Sequence, residues 1–417
     1  MKKRNGCSLA VFSVLLVTSL VLLAWAFWPL LGDNLVPQPP ATTTTTTQAP
    51  TQPHVTQPAE FARAGSFRHH YGQLNPAEQA AYRAILEAMP GFPERVEVRD
   101  LDEEGIRAVF RALMLDQPML FQISSTQYRI LQTPDGRVTT FIPEYLMDRE
   151  EYQRRVDAIA EVIEGIPLPY EGSEFEIQLA LHDFLVQHCT YSDDIADHNV
   201  SSVYGALVQG YASCEGYSRA MLLLLELNGI GAYIVTGYAS NADFEGPHAW
   251  NKVRIGGNWY YLDATWNDPV MEGGREIVSR AFFNLRAEDL AHSHELNDEV
   301  HIADSTAQNY SRVRGLFFEE INQAAEARLA QAMTEALDAG RGVLELRMAS
   351  PAALEQASQA LFGQQQLVHR ILSAADPNGE RLQAGRVYFS TLEQLHVIRI
   401  FPVLQEAPED ANTEESE

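Results

Sequence analysis

The sequence predicts an α+β protein in which one apolar helix feeds an antiparallel sheet. Three observations predict this. Residues 213–231, SCEGYSRAMLLLLELNGIG, read as a helix: residues 221–225 are a continuous apolar run, and Asn228-Gly229 supplies a left-handed stop. AYIVTGY (232–238) then reads as a strand, and PHAWNKVRIGGNWYYLDATWNDP (247–269) as two strands around Gly256-Gly257, a strong two-residue hairpin signal. Beyond residue 305, short strands and helices alternate.

The first element is of another kind. MKKR is basic, and residues 8–31 are uncharged and mostly apolar, which is long enough to span a hydrocarbon core of roughly 30 Å. The basic flank stays in the cytoplasm, so residues 1–32 are expected to be a single-pass anchor with the rest of the chain outside the cell membrane. A cleaved signal peptide is the alternative, because Ala24-Trp25-Ala26 resembles a cleavage site. The apolar run continues past it through Phe27-Trp28-Pro29, and Trp25 and Trp28 suit an interfacial belt, which favours the uncleaved anchor. Residues 33–66, with PQPPATTTTTTQAPTQPHVTQP, are a Pro/Thr-rich linker that cannot form a core.

Order resumes with a helical accessory subdomain over 67–170. Asn75-Pro76-Ala77-Glu78 places an N-cap, a proline at N1 and a glutamate at N3, so a helix begins there. Ala81, Tyr82, Ile85, Ala88 and Met89 form its buried stripe. A second helix over 102–115 turns Ile106, Val109, Phe110 and Leu113 inward, and 119–142 reads as two strands around Pro134-Asp135-Gly136. Helices over 150–166 and 174–189 follow. The core is expected over 171–304 and a small α+β sandwich of ferredoxin-like type over 305–405, with strands at 314–319, 342–348, 385–390 and 394–403 and helices at 322–338 and 351–373. Residues 406–417 are an acidic tail, expected to be disordered.

The formal charge is −26, from 30 basic and 56 acidic residues. That argues against nucleic acid as a partner, which needs a basic footprint. Three cysteines cannot make a disulfide framework. A Cys189–Cys214 bridge is possible on the sequence and would silence Cys214. Cys214 stands in the first turn of the 213–231 helix, with Ser213 before it as N-cap. Unpaired N–H groups and the dipole favour a thiolate there, whereas a structural thiol belongs inside the apolar run.

The hairpin register supplies partners. If Ile255 pairs with Asn258 across Gly256-Gly257, Trp250 pairs with Asp263, and His248 shares a face with Asp263 one diagonal step away. Val253, Ile255, Tyr260 and Leu262 supply the opposite, core face. An odd loop length would separate the pair. A lone Cys or His is usually a core residue; a thiol at a helix N-terminus with a co-facial His–Asp pair follows the logic of an activated nucleophile. No metal site stands out: His69-His70 and His292-x-His294 lack partners at convincing spacing, and Asp193, Asp194 and Asp197 match no calcium loop. No cofactor is expected.

GALVQGYASCEGYS, HAWN and WYYLDATWND resemble the core of the transglutaminase-like superfamily, which shares the papain-like cysteine fold. The resemblance covers about residues 172–290. It implies a papain-like/transglutaminase-like core, with the Cys on a helix packed on an antiparallel sheet, and it implies Cys214 as nucleophile, His248 as general base and Asp263 as the orienting acid. Gln209 resembles a helper glutamine of papain-like enzymes and is the oxyanion candidate beside the Cys214 backbone N–H. Trp250 and Trp266 flank the site as candidate substrate platforms or core aromatics. Glu215 and Tyr217 match the motif as structural supports.

The expected function is therefore a membrane-anchored, extracytoplasmic cysteine enzyme acting on peptide or glutamine amide bonds through a thioester. Its substrate would be a peptide or protein at the cell surface. Hydrolysis is favoured over transamidation because water is always present. The rival from another class is a non-catalytic surface binding or scaffold module with a relic triad.

Overall fold

The computed structural model describes residues 68–405 apart from 170, 195, 242–243, 270–276, 297–299 and 341. The expected anchor (1–32), linker (33–66) and acidic tail (406–417) lie outside the described residues. Among those described, no helix is long and apolar enough to cross a membrane. Contacts divide them into two compact units. One takes the chain up to Val235 together with Ala249–Ile255; the other takes Thr236–His248 and the chain from Gly256 onward. The division runs through two strands.

In the first unit, α1 (His69–Gln73) leads into α2 (Pro76–Ala88), which starts where the capping sequence demands. Asn75 Oδ1 accepts from the N–H groups of Ala77 and Glu78 at 3.0 and 3.1 Å, and Glu78 returns the bond to Asn75 N–H at 2.9 Å. α2 and α3 (Glu103–Asp116) pack Tyr82, Ile85, Ile106, Val109 and Leu113 against a three-stranded antiparallel sheet. The sheet is β1 (Val96–Leu101), β2 (Ile123–Gln132) and β3 (Val138–Tyr145), in the order β1-β3-β2. The two strands expected around Gly136 are present. β1, which has no counterpart among the expected elements, is an edge strand with irregular pairing and a mixed burial pattern, so it carries no clean alternation.

Helices α4 (Arg149–Glu164) and α5 (Glu174–His188) follow, then the short parallel strands β4 (Thr190–Tyr191) and β5 (Tyr211–Ala212). α6 (Cys214–Leu227) is buried all round from Gly216 to Glu226, as an apolar helix in the middle of a unit must be. Gly229 ends it at φ +72°.

Glu226 is a buried carboxyl near the end of this helix. Burial, and then the nearby Asp116 carboxylate, push its carboxyl up to about 8 against the partial relief of Arg68. The folded state thus keeps a proton that the unfolded chain releases near 4.5. Stability from this group is complete in acid and is lost as the pH rises towards 8. One such proton gives a slope of about 1.4 kcal/mol for each step of one in pH. Glu226→Gln should remove that slope from urea titrations run between pH 5 and 9. An unchanged slope would show that Glu226 ionises freely in the folded protein.

The strands β6 (Ala232–Ser240), β7 (Glu245–Ile255) and β8 (Asn258–Leu262) form a sheet in that order. The loop between β7 and β8 is Gly256-Gly257, with φ +58° and +84°, the double positive φ that a type I′ hairpin requires. After the short helices α7 (Ala287–Leu290) and α8 (Tyr310–Val313) come β9 (Phe317–Phe318), α9 (Gln323–Asp338), β10 (Leu344–Met348), α10 (Pro351–Phe362), α11 (Leu367–Ala375), β11 (Leu382–Leu392) and β12 (Val397–Leu404). The four strands are ordered β11-β12-β10-β9, and Leu329, Met333, Leu354, Leu361 and Ile371 cover the sheet's Leu346, Ile398 and Ile400. The expected elements are present, but the ferredoxin-like arrangement is not. β9 pairs directly and in parallel with β10, whereas a split βαβ unit would insert another strand between them.

Candidate active site

Cys214 opens α6 and is half-buried; Cys189, the other described cysteine, is 3% exposed. Neither is in a disulfide, so the bridge considered from the sequence does not form. The backbone before Cys214 is fixed by the short helical turn His198–Ser201. The Val200 carbonyl accepts from Ser213 N–H at 2.8 Å and from the Ser213 hydroxyl at 3.2 Å. The Ser213 side chain makes no capping bond to α6, contrary to the sequence expectation: its hydroxyl is turned towards the Val200 carbonyl instead. Gly216 permits the close approach. A Cβ there would overlap the Val200 carbonyl oxygen and stand 2.8 Å from the Ala212 Cβ.

Other parts of the motif hold the helix. Tyr217 donates to the Cys189 carbonyl at 2.6 Å, and Glu215 accepts from buried Arg219 at 2.6 Å. Asn251 of β7 donates to the Ser218 carbonyl at 2.9 Å. Tyr191 of β4 is 37% exposed, and burial followed by the Cys214 charge raises its phenol above the ordinary range. It is an aromatic neighbour of the thiol that no sequence motif singles out. Gln209 ends a helical turn at 205–209 and is exposed. Trp250 is 1% exposed, so its indole is a core group and offers no surface to a substrate.

In the second unit, His248 lies on β7 and Asp263 is the first residue after β8. His248 Nε2 and Asp263 Oδ2 are 2.8 Å apart, as the hairpin parity required. Asp263 is completely buried and anchored at both ends. Its N–H donates to the Phe282 carbonyl at 3.1 Å, and its Oδ1 accepts from Trp266 N–H at 3.0 Å. A third group, His294, brings its Nε2 to the same Oδ2 at 3.1 Å. Burial alone would raise the Asp263 carboxyl, but the two imidazoles outweigh it and hold the group well below the usual carboxylate range. An ionised carboxylate only accepts, so each Nε2 facing it carries its proton, and Nδ1 is the basic nitrogen of His248. Trp266, half-buried, lies 5.4 Å from the His248 ring and 4.4 Å from the His294 ring. His248, Asp263 and His294 are also the described residues that could hold a metal ion, with ligand atoms within 4.8 Å of one another.

Residues 166–264 match the model of the transglutaminase-like superfamily. This segment is a transglutaminase-like domain. Cys214, His248 and Asp263 all fall inside the transglutaminase-like domain, and Trp266 and His294 fall beyond its end. No curated protein is significantly similar to the chain. Among solved structures, a TGase superposes with a TM-score of 0.26 at 18% identity, covering 36% of this chain and 46% of that one. A candidate cysteine protease from Cytophaga hutchinsonii gives 0.23 at 16%, covering 33% and 61%. A structure of menin, which reveals its binding site for the Mixed Lineage Leukemia protein, gives 0.24 at 12%, covering 76% and 61%. The chain thus spans less than two thirds of each of these proteins, and superpositions this loose carry no argument about activity.

Proposed function

We propose that the chain is a cysteine enzyme that acts on peptide or glutamine amide bonds through a thioester. The observation that carries this reading is the buried His248–Asp263 pair at 2.8 Å, within the same family-matched segment as a half-exposed Cys214 at the start of α6. In the proposed reaction His248 Nδ1 takes the thiol proton and the Cys214 sulfur bonds to the carbonyl carbon. The oxyanion is stabilised by the Cys214 N–H, with Gln209 as a second candidate donor. The C–N bond then breaks, the leaving amine takes the proton from His248, and a thioester remains. Water, activated by His248, releases the acid and restores the thiol; an amine in its place gives transamidation. Hydrolysis is favoured because water is always available.

Incubation with a peptide or glutamine-amide substrate should leave an acyl group on Cys214 that hydroxylamine releases, and Cys214→Ala should show neither adduct nor turnover. Iodoacetamide should modify Cys214 well before Cys189, since one thiol is accessible and the other sealed. Equal, slow labelling with no acyl adduct would give the lead to a binding or scaffold module.

The same proposal places the enzyme outside the cell membrane, anchored by residues 1–32, with a cell-surface peptide or protein as substrate. Protease added to intact cells should release a soluble fragment by cutting within 33–66. Intact chain in the cytosol would contradict the topology, and a mature N-terminus at Phe27 would replace the anchor by a cleaved signal.

A further inference from the structure

Resting on the Cys–His–Asp reading, we propose that His294 is a second positioning residue of the site: it shares Asp263 Oδ2 with His248 and fixes the carboxylate that orients the base. The matched family segment ends at residue 264, so His294 lies outside it.

The geometry is specific about protons. Asp263 Oδ2 receives His248 Nε2 at 2.8 Å and His294 Nε2 at 3.1 Å. The carboxylate has no proton to give, so His294 carries its own on Nε2. On the other side of the ring, Nδ1 lies 2.9 Å from the Ser293 hydroxyl, which is also 3.3 Å from the Leu290 carbonyl. One hydroxyl proton serves one acceptor. The shorter contact to Nδ1 gives a neutral imidazole with the tautomer that Asp263 needs. Burial, above all, lowers His294 below the ordinary histidine range, and Asp263 and His248 are the titratable groups facing it. His294 is thus a neutral donor at neutral pH, not a second cation.

The ring is held in place. His294 N–H bonds to the Leu290 carbonyl at 3.0 Å. Its neighbours attach to β6: Ser240 N–H donates to Ser293 O and Glu295 N–H to Tyr238 O, both at 2.8 Å. The Trp266 ring packs against the imidazole at 4.4 Å, tilted by 58°. With Trp266 N–H on Oδ1 and His294 on Oδ2, the Asp263 carboxylate cannot rotate away from His248. A residue that only filled space here would need neither the tautomer nor the shared oxygen.

The test is the pH dependence of Cys214 alkylation by iodoacetamide in the full chain, which requires no knowledge of the substrate. His294→Leu should slow alkylation at pH 7 about tenfold, the effect expected for losing one hydrogen bond to a charged group. It should also move the midpoint of the profile to higher pH, in the direction of His248→Ala. His294→Gln, whose amide can donate to the same oxygen, should restore rate and midpoint to near the parent values. The melting temperature of each variant separates folding from positioning. If His294→Leu leaves the profile unchanged while His248→Ala shifts it, the positioning role is overturned and the triad stands. If Gln fails to rescue where folding is intact, donation to Asp263 is not the role. If His248→Ala itself leaves the profile unchanged, the Cys–His–Asp reading fails and this proposal with it.

Discussion

Asp263→Asn should lower turnover on a peptide or glutamine-amide substrate by on the order of 10⁴, the cost of losing the carboxylate in Ser-His-Asp triads. The loss comes from the tautomer. Asp263 is an acceptor towards both His248 and His294, and an amide presenting its NH₂ to His248 would turn Nε2 into an acceptor and move the ring proton to Nδ1, the nitrogen that must act as base. The fold should survive, because the backbone bond to Phe282 remains and an asparagine oxygen can still accept from Trp266 N–H. His248→Ala should cost at least as much, and the double variant little more, because the pair acts as a unit. Turnover measured with circular dichroism as the folding control decides the matter. If the two losses multiply, or if Asp263→Asn unfolds the protein while His248→Ala is silent, the pair is structural.

Gly216→Val should have the largest effect on the nucleophile without touching a reacting atom. Even a single Cβ at residue 216 would overlap the Val200 carbonyl oxygen and stand 2.8 Å from the Ala212 Cβ. Backbone, not a flexible side-chain end, must move to relieve the first overlap. That carbonyl also holds Ser213 through two bonds, so displacing it releases the residue directly before Cys214. We expect a stability loss of about 3 kcal/mol or more, of the size seen when a packed interior is overfilled and a buried acceptor loses its donors. Gly216→Ala should lose less stability and still slow alkylation of Cys214 by iodoacetamide. Urea unfolding and alkylation rates measure both effects. Wild-type values in Gly216→Val would mean that the turn at 198–201 does not constrain the helix start.

Much of the fold was legible along the chain because its signals are local. Asn75-Pro76-Ala77-Glu78 caps α2 as its residues demand, and the apolar run with Asn228-Gly229 sets the length of α6. Gly256-Gly257 fixes the β7–β8 hairpin. Its two-residue loop sets parity, and parity puts His248 and Asp263 on one face; the 2.8 Å contact between them is what the tertiary structure adds. The C-terminal elements were equally readable, but their order in the sheet was not. A helix between β9 and β10 allows the strands to be adjacent or split, and packing chooses between them.

The sequence by itself determined where the long helices and the hairpin form, that Cys214 stands at a helix start, and that His248 and Asp263 share a face. Capping, turn chemistry and periodicity act over a few residues, and no distant partner is needed to satisfy them. Tertiary structure alone decided that Ser213 serves Val200 instead of capping α6, that Trp250 is core, and that Gly216 leaves room for a neighbouring carbonyl. It also decided that His294, 31 residues beyond Asp263, reaches the same carboxylate oxygen. In the sequence that histidine was only half of an unconvincing His-x-His pair. A buried carboxylate recruits donors from wherever the chain happens to pass, and loop residues that meet it carry no periodicity to announce them.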